Sequence, residues 1–149
     1  MGGINVPRWI AGGLVAGFAM FVGVMAPAPL LLDSMQAELE PRHLSFSLSA
    51  WPSVLLATLI AGLALVFLYA AARARFGAGA KTATIVGIAA WFFGPVVSAI
   101  ILAMLGVFGG PLLLLGLAMD LIILVAASLL GAWIYREGER VKLADPAAA

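Results

Sequence analysis

An all-α integral membrane protein is predicted, a bundle of four transmembrane helices with both termini on the cytoplasmic side. Three observations predict it. The chain of 149 residues is 64% hydrophobic and 10% charged, whereas a soluble domain is about 45–50% apolar and about 25% charged. Its apolar residues fall into long uninterrupted stretches, the signature of bilayer spans rather than of a soluble core. Its lysines and arginines gather on one side of those stretches, and the basic side of a membrane protein is the cytoplasmic side. Backbone groups within lipid must be bonded internally, so each span is a helix or a barrel strand. Barrel strands alternate apolar and polar residues, and these stretches do not.

The first span is expected over residues 9–32, long enough to cross an apolar core of about 30 Å. Arg8 before it and Ala26-Pro-Ala28 within it imitate a signal peptide. The run is longer than a signal core, and Pro29 would follow the cut, so the span is expected to be retained. Residues 33–50 form the sizeable outer loop. Asp33-Ser-Met-Gln36 has the form of a capping box, which predicts a short helix stopped by Pro41. Leu44, Phe46 and Leu48 alternate with Ser45, Ser47 and Ser49, the pattern of a short strand or of a segment lying in the interface.

The second span is expected over residues 51–72, the third over 82–105 and the fourth over 112–135. A basic, glycine-containing turn from Arg73 to Lys81 separates the second from the third, and Gly109-Gly110-Pro111 separates the third from the fourth. With four spans, Arg8, Arg73, Arg75, Lys81, Arg136, Arg140 and Lys142 share one side, and Arg42 stands on the other with Asp33, Glu38 and Glu40. Trp9, Trp51 and Tyr135 mark span ends, where amphipathic rings prefer the interface. The whole chain, 1–149, reads as one domain, with an irregular tail over 143–149. Both Tyr69 and Tyr135 close a span beside arginine, and Gly17-Phe-Ala and Gly87-Ile-Ala open similar segments in spans one and three. Such similarity is what two parallel repeats would leave.

Helices in lipid associate by close approach at small residues. Gly13-x-x-x-Gly17 with Gly12, Ala16 and Gly23 offers such a stripe in span one. Ala83, Gly87, Ala90, Gly94 and Ser98 offer one in span three; Gly116, Asp120, Ala127 and Gly131 in span four; and Gly62 lies in span two. These stripes predict packing within the bundle, with a homodimer face on span one as the alternative. Gly94-Pro95 predicts a kink in span three, because proline removes a helix bond and crowds the preceding turn.

Asp120 is the one charged residue inside a span, and no lysine, arginine or histidine lies in any span. An intramembrane carboxylate is costly and marks a candidate site. Counted by depth, Ser98 and Thr58 come level with it, which predicts a polar cluster of Asp120, Ser98 and Thr58. It would hold the bundle together through hydrogen bonds, with a neutral carboxyl, or serve as a proton, cation or amine site.

Other chemistries find little support. With no cysteine and one histidine, His43 in the outer loop, neither a metal site nor a cofactor is expected. No serine–histidine pair falls within the spans, and Gly77-Ala-Gly79-Ala-Lys81-Thr82 lacks the spacing of a phosphate loop. Arg73, Arg75 and Lys81 are expected to meet anionic lipid headgroups. A net charge of +1 suggests no nucleic-acid partner.

The run Leu68-Tyr-Ala-Ala-Ala-Arg73-Ala-Arg75-Phe-Gly77-Ala-Gly79-Ala-Lys81-Thr-Ala83, Trp91 in span three, and Gly131-Ala-Trp133-Ile-Tyr135-Arg136-Glu137 resemble a group of small uncharacterised four-span bacterial membrane proteins. Members of that group often carry prolines where this chain has Ala78 and Ala80, and an acidic or amide residue in span one, where this chain has none. The resemblance implies the four-span topology in a bacterial inner membrane and brings no activity. The expected function is a non-enzymatic accessory or binding membrane protein, alone, as a homo-oligomer or in a larger membrane complex. The alternative is a small oligomeric transporter or channel coupled through Asp120.

Because the chain has no cysteine, single cysteines report topology cleanly. Those placed at Ser47 and Ala78 are expected to label with an impermeant reagent from opposite faces of the membrane, Ser47 from outside. Labelling of both from one face would remove the four-span topology.

Overall fold

The computed structural model describes residues 4–45 and 48–143, with the side chains of 48 and 136–143 excepted. These residues form helices and short connections, with no strand among them. Helix α1 is Val6–Met25, α2 Ala28–Leu39, α3 Trp51–Phe76, α4 Ala80–Trp91, α5 Val97–Met104 and α6 Gly110–Leu143. A π-helical stretch, Phe92–Val96, joins α4 to α5 without a break. Four segments are long and apolar enough to cross a membrane: α1, α3, α4 through α5, and α6 up to Tyr135.

The first span is shorter than the sequence suggested. Ala26 still donates its amide to the Val22 carbonyl at 2.9 Å, but Pro27 has no amide to continue the ladder. The Pro27 carbonyl instead accepts from Leu30 and Leu31 and starts α2. Asp33 therefore lies inside α2 rather than at its cap, which corrects the capping-box expectation. Pro41 does end that helix, in a single 3-10 turn, Glu40–Arg42, closed by His43 with a left-handed φ of 56°. Leu48–Ala50 is a 3-10 turn, not part of a strand; Phe46 and Ser47 lie outside the described residues. Helix α3 runs one turn past the expected end, to Phe76, and stops at Gly77, whose φ of 81° suits glycine. Residues 144–149, most of the expected tail, also lie outside the described residues.

The bundle is two interlocked hairpins. In the first, α1 crosses α3 backbone to backbone. A Cβ on Gly17 would fall 2.6 Å from the Leu59 Cα, and one on Gly13 2.8 Å from the Leu63 Cα. Gly62 presses against the Gly13 carbonyl from the other side. The Gly13-x-x-x-Gly17 stripe is thus consumed inside the chain, which removes it as a homodimer face. Helix α6 closes on the same pair, with Gly12 against the Gly131 carbonyl at a built-Cβ distance of 2.8 Å.

The second hairpin repeats the first. A Cβ on Gly87 would meet the Val125 Cα at 2.9 Å, and the Ser128 hydroxyl donates to the Ala83 carbonyl at 2.7 Å. Residues 13 and 17 of α1 correspond to 83 and 87 of α4, and residues 59 and 62 of α3 to 125 and 128 of α6. The tyrosines bind the halves reciprocally. Tyr69 of α3 accepts a bond from the Gly79 amide at the start of α4 (3.2 Å). Tyr135 of α6 accepts one from the Asn5 amide at the start of α1 (3.3 Å). Their rings meet edge to face at 6.2 Å. Both hairpins run the same way through the bundle, as parallel repeats do.

Not every small residue serves this packing. Beyond the local helix backbone, no atom would lie within 4 Å of a Cβ on Gly94 or on Gly116, so the stripes of spans three and four pack closely towards the end that carries the tyrosines. Gly87→Leu is accordingly expected to lower thermal stability in detergent sharply, by about 3 kcal/mol or more. Gly94→Leu and Gly116→Leu should leave it within about 1 kcal/mol of wild type. A large loss at Gly116 with none at Gly87 would place the close contact at the wrong end of the bundle.

Candidate functional site

The site begins with Pro95. Proline cannot donate to the carbonyl one turn back, and the chain absorbs the missing bond as the π-helical turn Phe92–Val96, a usual consequence of an interrupted ladder. Just before it, the Trp91 indole donates to the Leu117 carbonyl at 2.8 Å and holds this segment to α6. Beyond it α5 has no buried residue. The chain therefore packs tightly up to Trp91 and loosely after it.

Two surface clefts result. One, of about 230 Å³, lies among α2, α5 and α6, with Met35, Pro95, Ser98, Phe108, Gly116 and Asp120 on its walls. The other, of about 270 Å³, lies among α1, α3, the π turn and α6, with Met20, Ala61, Leu65, Gly94, Pro95 and Asp120 on its walls. Pro95 and Asp120 are common to both, so the carboxyl borders each of them. Apart from Asp120 and Ser98, the lining side chains of both clefts are apolar. Neither of those two side chains hydrogen-bonds to another described residue.

Of the three residues expected to cluster, Asp120 and Ser98 line one cleft and Thr58 does not. Thr58 is buried beside α1, with its backbone carbonyl against Gly17, and its hydroxyl donates to the Leu55 carbonyl of its own helix at 3.0 Å. Depth alone placed it level with Asp120. Its position one helical turn from Gly62 puts it on the α3 face turned to α1.

One element of the site escaped the sequence. The Glu38 carboxylate accepts a bond from the Gly109 amide at 3.0 Å, and so ties α2 to the start of α6. An amide at a helix start lacks an intrahelical acceptor, and the helix dipole there favours an anion. Arg42 in turn donates to the Glu38 carbonyl. This latch keeps Leu31 and Met35 of α2 on the wall of the first cleft. Acidic residues and a glycine turn on one side of the membrane were visible in the sequence, but nothing there paired them.

At the opposite end the basic residues bracket the α3–α4 turn. Arg73 is half-buried, with its guanidinium 5.5 Å from the centre of the Tyr135 ring, a cation–π distance. Arg75 and Lys81 are exposed. Thr82 ties the turn by donating to the Gly77 carbonyl at 2.8 Å.

No protein-family model matches the chain, and no curated protein or solved structure proves similar to it. The site is therefore read from its own chemistry. One carboxyl and one hydroxyl in apolar surroundings can hold a single polar group of a ligand. They offer no second acid or base for general catalysis, and no three acidic or histidine side chains gather among the described residues.

An unpartnered carboxyl gives the bundle no hydrogen bond to lose. Asp120→Leu is therefore expected to leave the thermal midpoint in detergent unchanged or to raise it, by up to about 1 kcal/mol in stability. A clear fall in the midpoint would show that the carboxyl holds the helices together.

Proposed function

We propose that this chain is a non-enzymatic, multi-pass protein of a bacterial inner membrane that binds a small, mostly apolar ligand with one polar group in the clefts that Asp120 borders. The observation that carries this reading is the position of the carboxyl: inside a span, on the walls of two apolar clefts, with no hydrogen-bond partner among the described residues. Small-molecule sites are concave and mostly apolar, with a few placed polar groups. Both termini are assigned to the cytoplasm, on the strength of the basic residues at that end, and Arg73, Arg75 and Lys81 there suit anionic headgroups. Kinship with small four-span bacterial membrane proteins belongs to the same proposal. Residues of α5 such as Ile100, Ile101 and Met104 remain exposed and leave a face for lipid, a second copy or a larger complex.

One observation favours a second reading, a small oligomeric transporter. Asp120 and Pro95 line both clefts, so a bound group could exchange between them past the π turn.

Neopentylbenzene, an uncharged compact hydrocarbon, tests the binding reading. It is expected to raise the thermal midpoint of the purified protein in a non-ionic detergent. Gly116→Phe should abolish that rise, because its ring would occupy the open space beside Gly116. The same rise in both proteins would exclude the cleft beside Gly116 as the binding site.

A further inference from the structure

We propose that the site selects an organic monocation, an ammonium group on a compact apolar body; this inference rests on the cleft-binding reading above. Charge fixes the sign. The cations of the span-forming helices, Arg8, Arg73, Arg75 and Lys81, all stand in a terminal turn at the basic end, and no charged side chain other than Asp120 lines either cleft, whether from α1, α2, α3, the α4–α5 segment or α6. Glu38 of α2 is engaged with the Gly109 amide and lines neither cleft. An ionised Asp120 thus finds no counter-charge among the described residues lining the clefts, and a bound cation would supply one.

Charge also fixes the valence. One carboxylate neutralises one positive charge, and a divalent ion would leave an excess charge in apolar surroundings. The shape of the lining then separates organic from inorganic cations. A bare metal ion replaces its water shell with about six oxygens, and the clefts present the Asp120 carboxyl, the Ser98 hydroxyl and little else. An alkyl- or aryl-ammonium ion carries its own apolar shell and needs only a counter-charge and a greasy wall. Met20, Met35, Leu65 and Phe108 supply that wall, methionine adapting to ligand shape and an aromatic ring attracting a cation to its face.

The test compares two ligands of one shape: benzyltrimethylammonium and neopentylbenzene, in which carbon replaces the charged nitrogen. The ammonium ion keeps its charge at every pH, so a pH dependence of its binding reports on the protein. With wild type in a non-ionic detergent, the cation is expected to bind about tenfold tighter than the hydrocarbon, the effect of a single close ion pair. Its affinity should fall as acidification protonates the carboxyl, while that of the hydrocarbon should stay constant. Asp120→Asn should bring cation affinity down to the level of the hydrocarbon. If that variant fails to fold, the wild-type pH profile still decides. Binding of neither compound would overturn the cleft reading itself. Equal, pH-independent binding of both would leave that reading standing and overturn the selection for a cation. A preference for the cation that persists in Asp120→Asn would overturn the assignment to Asp120.

Discussion

The fold depends on the crossing where Gly62 of α3 meets Gly13 and Gly17 of α1. In lipid there is no water to expel from between helices, so association rests on the close approach of backbones. Any side chain at Gly62 would collide with the backbone of α1, and any at Gly17 with that of α3. Helix α6 reaches this pair through Gly131 and Gly12, and α4 reaches α6 through Gly87. Each further contact thus builds on the first. The reciprocal tyrosine bonds then set the relative position of the hairpins at the end where the chain enters and leaves.

Close approach is confined to that end. Past Trp91 the third segment passes through the π turn around Pro95, and α5 has no fully buried residue. The same residue that spoils the packing makes the clefts. A bundle closed along its whole length would have no room for a ligand, and one open along its whole length would have no crossing to hold it. The Glu38–Gly109 bond ties the open end together through polar groups at its rim, which leaves the space beneath it free.

Much of this was legible in the sequence because it depends on length and composition. Span positions follow from apolar runs, turns from Gly77, Gly79 and Gly109, and the disturbance of the third span from Pro95. What was not legible depends on the direction a side chain takes around a helix. Thr58 faces α1, where its carbonyl lies against Gly17, and a depth counted from the span ends does not show that. Gly94 and Gly116 look the same as Gly87 and Gly131 in a list of small residues, yet only the latter pair meets a neighbouring backbone. The break at Pro27 was missed because the flanking residues are as apolar as a span, and hydropathy does not register a missing amide. The tie between Glu38 and Gly109 joins residues far apart in the chain and leaves no local pattern.

The internal repeat bears on why the carboxyl is there. If Asp120 were part of what makes a hairpin cross, its counterpart in the first hairpin should also be polar. The shift that carries residues 59 and 62 onto 125 and 128 carries Val54 onto Asp120. The first hairpin therefore makes the same glycine crossing with valine at the corresponding place. The segments around the two positions differ as well: α1 ends at Met25, before the break at Pro27, whereas the third span continues through the π turn to bring Ser98 to the cleft. One half of the molecule shows what the fold requires, and a carboxyl is not among the requirements. A charged group that costs free energy in lipid, bonds to no other described residue and has valine as its counterpart in the repeated architecture is what the proposed ligand would account for.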